Sequence, residues 1–152
     1  MANDFRQAAQ ISLRKHNLGA NSSVLADRVY AAVRIVTGLM FSFPGVQKVF
    51  GLMWNPAYPR PPLTSQVGIG GVIELVTGLA IALGLFTRYA AFLASGTMAV
   101  AYWQFHVFGN AKVEGTARFI PALNDGSAAA LYCFLFLYMA CKGAGPWSVD
   151  CK

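Results

Sequence analysis

VYAAVRIVTGLMFSFPGVQKVF, from Val29 to Phe50, has the apolar character of a membrane-crossing helix yet carries two cations, Arg34 and Lys48. Its 22 residues, at about 1.5 Å rise each, cover roughly 33 Å, enough for the hydrocarbon core of a bilayer. Arg34, Gly38, Phe41, Gly45 and Lys48 follow one another at steps of 4, 3, 4 and 3, so a helix presents all five on one face. A charge facing lipid near mid-bilayer costs about 2.5–3.5 kcal/mol on insertion scales, and this face is therefore expected to turn inward. Its two glycines let a neighbouring helix come close. Pro44 removes one helix hydrogen bond and frees the Met40 carbonyl, which predicts a kink.

Composition points the same way. Hydrophobic residues make up 56% of the chain and charged residues 12%, about half the charged share of a soluble domain. The 152 residues suffice for one domain. The net charge of +6 comes from basic residues scattered between apolar spans. They read as topology signals and headgroup contacts, so no nucleic-acid partner is expected.

Working outward, residues 1–28 form a polar N-terminal segment in which Phe5, Ala9 and Leu13 make one weak apolar stripe of a surface helix, or else a mobile tail. After the first span, Gly51 to Gln66 holds Pro56, Pro59, Pro61 and Pro62, which exclude a helix. Trp54 and Tyr58 suit the headgroup level. Further spans are expected at about 67–86, 88–108 and 126–141, completing a transmembrane domain over 29–150. Glu74 is the one charge of the second span and shares its face with Gly71 and Gly78. GLFTR, ending at Arg88, is a turn short enough to make spans two and three antiparallel neighbours. Ser95, Ala99, Tyr102 and His106 form a small and polar stripe on the third span. Asn124 and Asp125 are N-cap candidates for the fourth, and Trp147 is a candidate interfacial anchor in the tail. The fold class is all-α, an integral membrane four-helix bundle.

With both termini inside, the cytoplasmic flanks hold seven Lys and Arg and the outer flanks four, Arg34 being left out as intramembrane. That bias predicts a multi-pass protein of the cell (inner) membrane with cytoplasmic N- and C-termini.

On this topology Lys48 and His106 lie near the outer ends of their spans, and Glu74 lies about 10 Å in. Lys48 can bend along its helix toward Glu74, and Arg34 is the acid's other candidate partner. One acid between two cations, with an imidazole above, makes a polar constellation opening outward. Its plainer role is an ion pair that holds the bundle together. Cys133, Cys141 and Cys151 contain no C-x-x-C pair, which argues against dithiol exchange. Two histidines, one of them in the N-terminal segment, cannot ligate two haems by paired imidazoles. No metal-ligand spacing or phosphate-cradling loop is present, so neither metal nor haem is expected.

R-x-x-x-G at Arg34 and Gly38, G-x-x-K-x-x-G at Gly45, Lys48 and Gly51, and E-x-x-x-G at Glu74 and Gly78 resemble the DoxX family. So do GLFTR, His106 late in span three, Asn124 and Gly126 before span four, and G-P-W-S-x-D at Gly145 to Asp150. Two positions depart from the family's usual residues: Pro44 stands where His is frequent, and Ser127 where Glu is frequent. The resemblance implies a small four-helix membrane subunit of a quinone-linked redox complex, of the thiosulfate:quinone oxidoreductase or quinol oxidase kind if it is catalytic. It implies a quinone head group near the outer face, between Glu74, His106 and Lys48 as catalytic candidates. Arg34, Phe41, Tyr102, Trp103 and Asn124 are the substrate-binding candidates. A partner redox or respiratory protein would supply or accept the electrons, and an oligomer is compatible with this reading. Two other expectations stand beside it: a non-catalytic scaffold or assembly factor, and a small-solute or proton conduit along Arg34, Glu74 and Lys48.

Overall fold

The computed structural model describes residues 2–57 and 59–151, with side chains from 22–57 and 59–150. Four α-helices make up the described architecture: α1 (Ala2–Phe50), α2 (Gln66–Leu83), α3 (Thr87–Ala101) and α4 (Ser127–Lys142). A π-helix, Tyr102–Phe108, continues α3, and a 3-10 turn, Gly115–Phe119, lies in the connection to α4. The helices run alternately up and down. One end of the bundle therefore carries the connections 51–65 and 109–126, and is called the loop end below. The other carries the α2–α3 turn and the C-terminal residues, and is called the tail end.

The glycine face of Val29–Phe50 does turn inward: Arg34, Gly38, Phe41 and Gly45 are buried and Lys48 is half-buried. A Cβ at Gly38 would stand 2.6 Å from the Gly78 carbonyl oxygen, and one at Gly45 2.6 Å from that of Gly71. From the other side, a Cβ at Gly78 would meet the Ser42 nitrogen at 2.7 Å. Backbone thus lies on backbone along the whole α1–α2 seam, a closeness that only small residues permit. On the same face of α1, Phe41 meets Phe136 edge-on at 4.6 Å and Tyr132 at a tilt at 5.7 Å, bringing α4 into the core. Ser95 joins α3 to α4 by donating to the Cys133 carbonyl at 2.8 Å.

Polarity is arranged inside out. Arg34, Ser42, Glu74, Thr77, Ser95 and Asn124 are buried, whereas Val36, Met40, Val76, Phe92, Leu131 and Phe134 face outward. Such a surface belongs against hydrocarbon, with the polar groups satisfied between helices. Ser22–Phe50 within α1, and α2, are long and apolar enough to cross a membrane.

The structure adds local detail to these expectations and corrects one of them, the N-cap of the fourth span. No turn marks the boundary at residue 28, because α1 reaches back to Ala2 as one helix through the polar segment; the side chains of its Phe5, Ala9 and Leu13 stripe lie outside the described residues. Pro44 sits inside α1 without ending it. The third span changes from α to π at Tyr102, which widens its last turns and shifts their register. The N-cap of α4 is Gly126, whose N–H donates to Asn124 Oδ1 at 2.8 Å, in place of Asn124 or Asp125.

The tail end is closed by the C-terminal residues. Gly84, at φ 70, ends α2 in the left-handed region, and the Leu85 N–H reaches back to the Ala80 carbonyl at 2.8 Å. A side chain there would also run into the Arg34 guanidinium and Ser148. Phe86 precedes α3 at φ 46 and offers no side-chain cap. Asp150 supplies it from the far end of the chain: its carboxylate accepts from Phe86 N at 2.9 Å, Thr87 N at 3.0 Å and Thr87 Oγ1 at 3.2 Å. The amides of Thr87 and Phe86 hold that carboxyl below the usual carboxylate range.

Candidate functional site

The inward face of α1 delivers its two cations to different ends. Arg34, 0% exposed, donates from Nη1 to the Ala144 carbonyl at 2.8 Å and from Nη2 to the Trp147 carbonyl at 2.7 Å. It belongs to the tail-end closure. Glu74 lies ten residues before Gly84 on α2, about 15 Å along the helix. The expected line from Arg34 through Glu74 to Lys48 is therefore broken by the tight α1–α2 seam.

Lys48 and Glu74 do meet. The Lys48 Nζ donates to both carboxylate oxygens, at 2.8 and 2.7 Å, with side-chain exposures of 22% and 8%. The geometry follows from helix direction, since side chains lean toward the N-terminus of their helix. Lys48 leans down from the end of α1 and Glu74 leans up α2. Gly71 makes room for it, as a Cβ there would fall 2.7 Å from Lys48 Cβ.

The pair forms part of the wall of a cavity of about 470 Å³ between α2 and α3. Apolar side chains make up most of its lining, Ile69 and Ile73 from α2 and Phe92, Leu93 and Val100 from α3, with Phe105 from the π-helix. Thr97 and Gln66 add polar groups. Gln66 and Gln104 exchange amide hydrogen bonds at 2.5 and 2.7 Å across the top of α2 and α3. The cleft is closed there toward the loop end and lies open along its outward side. None of Gln66, Thr97 and Gln104 stood among the site residues expected from the sequence. Their only sequence signal is position, at matching heights on two antiparallel helices.

His106 does not line this cleft. Its Nδ1 lies 3.2 Å from the Asn124 carbonyl, which can only accept, so that nitrogen donates. Tyr102 stacks on it at 6.4 Å, and the Tyr102 hydroxyl donates to the Phe119 carbonyl at 3.0 Å. The buried Asn124 donates to the Arg118 carbonyl at 2.7 Å. Trp103 is exposed, stacked on Phe108 and edge-on to Phe119. These four expected site residues gather at the loop end on the α4 side of α3, because the stripe from Ser95 to His106 faces α4. Phe41 is core. Of the expected constellation, only Lys48 and Glu74 share the cleft.

What this arrangement offers is an amphipathic slot: a carboxylate, an ammonium and hydrogen-bonding side chains in the wall of an apolar groove that faces sideways. The comparisons agree with a membrane setting. The DoxX family model matches residues 29–107. A relative from Haemophilus influenzae, described as an uncharacterized protein, is 39% identical over 127 residues, covering 80% of this chain and 88% of the relative. No solved structure matches the chain.

Proposed function

The chain belongs to the DoxX family, and on that premise we propose that it is a membrane subunit of a quinone-linked redox complex whose quinone head group is held in the α2–α3 cleft. The observation that carries this reading is the Lys48–Glu74 pair in the wall of a mostly apolar cavity. A pair that served only to lock α1 to α2 would need no cavity beside it. Quinones combine an apolar ring with two oxygens that accept hydrogen bonds, and the cleft matches both properties. When bound, a quinone supplies two-electron chemistry coupled to protons. The Lys48 ammonium is the donor for a head-group oxygen, and the Thr97 hydroxyl and the Gln66 amide are further polar groups of the lining. Glu74 can hold or release a proton at Oε1 or Oε2. Electrons come from or go to a partner redox protein. The Lys and Arg bias supports an orientation with both termini cytoplasmic, which would put the cleft in the outer half of the inner membrane.

The alternative is a non-catalytic scaffold in which the pair only locks the bundle. Binding of a short-chain benzoquinone to the protein in nanodiscs separates the two. Lys48→Met alone leaves a buried carboxylate unpaired and is expected to destabilise by about 3–5 kcal/mol. The double variant Lys48→Met, Glu74→Met removes both charges and keeps the fold. It is expected to bind the quinone about tenfold more weakly, the worth of one hydrogen bond to a charged group. A folded double variant that binds like the unmodified protein would leave the scaffold reading standing.

A further inference from the structure

The outward side of the cleft is cut away at two glycines, one on each helix. At Gly70 on α2 and Gly96 on α3, an added Cβ would meet nothing within 4 Å. They contrast with Gly38, Gly45 and Gly78, where a Cβ would strike backbone. Close helix contact therefore does not explain them. Both line the cavity, and the side chains around them, Ile69, Phe92, Leu93 and Val100, face outward toward the hydrocarbon. Above the gap, the reciprocal Gln66–Gln104 amide pair bridges α2 and α3 toward the loop end. On α3 the lining runs from Phe92 to Ala101, nine helical steps or about 14 Å. That is longer than a single ring needs.

We propose that the gap over Gly70 and Gly96 is a side doorway from the bilayer, and that the first carbons of the ligand's hydrocarbon chain remain in it while the head group sits beside Lys48 and Glu74. This rests on the quinone reading of the same cleft and adds the class of ligand, a membrane-dissolved molecule with one long chain. Charge and polarity are divided accordingly. The charged pair comes from Lys48 and Glu74 on the α1–α2 side, and the side chains flanking the two glycines are mostly apolar, with the Thr97 hydroxyl turned back to the Leu93 carbonyl at 2.9 Å. Two leucine-sized side chains in the open space would fill the doorway without touching the α1–α2 seam.

The test uses the full-length protein in nanodiscs, with Gly96→Leu and, on the opposite helix, Gly70→Leu as independent variants, each checked for helicity and monodispersity. Two probes are titrated: a chainless methylated benzoquinone and the same head group with a decyl chain. Comparing each variant with the unmodified protein, probe by probe, cancels the chain's partitioning into lipid. The expected result is on the order of tenfold weaker binding of the decyl probe, the scale of an overpacked site, with chainless binding unchanged. Equal losses for both probes, or no loss for either in both folded variants, would overturn the doorway while leaving the head-group site intact. Failure of the unmodified protein to bind either probe would instead overturn the quinone reading and the doorway with it.

Discussion

At the tail end of the bundle Arg34 and Asp150 each hold backbone atoms, whereas toward the loop end Lys48 and Glu74 hold one another beside a cavity. Arg34 is buried completely and its guanidinium is matched to carbonyl groups of residues 144 and 147. Those contacts close the end of the molecule. Lys48 remains partly exposed, and its partner carboxylate lines open space. Two cations on one face of one helix thus have different tasks. The difference lies in their neighbours rather than in their charge.

The largest effects are expected where the tail end is broken. Gly84→Val puts a branched side chain at φ 70 and into Arg34 and Ser148, and is expected to abolish folded yield. Arg34→Met leaves two carbonyls without their charged donor and is expected to cost about 2–5 kcal/mol, read as unfolding in mild detergent. Unchanged stability of Arg34→Met would show that the tail is not held by it and would erase the contrast between the ends.

A smaller effect concerns Asp150. Its carboxyl is held below the usual range by the α3 amides. A lowered folded-state value means that its contribution is complete above the unfolded value of 3.8 and is lost as the pH falls through the lower folded value. Asp150→Asn is therefore expected to lower stability at neutral pH and to flatten the acid limb of the stability profile below about pH 4. An acid limb unchanged by the substitution would remove Asp150 from the closure.

Much of this was legible in the residues. The 4, 3, 4, 3 spacing from Arg34 to Lys48 fixed a shared face, because helical period leaves no freedom once the segment is a helix. The seam follows from the same rule applied to Gly71 and Gly78. What the spacing could not give was the neighbour that each end of the face meets. Arg34 and Glu74 looked like partners until the tail supplied carbonyls for one of them. Asp150 caps a helix 63 residues before it, a relation with no local signature. The stripe from Ser95 to His106 was legible as a face, but its partner, α4, was not. The π-helix then turns Phe105 into the cleft while His106 keeps to Asn124.

The central claim is that the head group sits between α2 and α3, not in the aromatic cluster at the loop end. Photolabelling with a short-chain azidoquinone, followed by residue-level mapping, tests it most directly. The expected label lies on Ile73, Thr97 and Val100, is competed away by unlabelled quinone, is lost in the Lys48→Met, Glu74→Met double variant and persists in His106→Gln. Competable label concentrated on His106, Phe119 or Asn124, and lost in His106→Gln, would contradict the account.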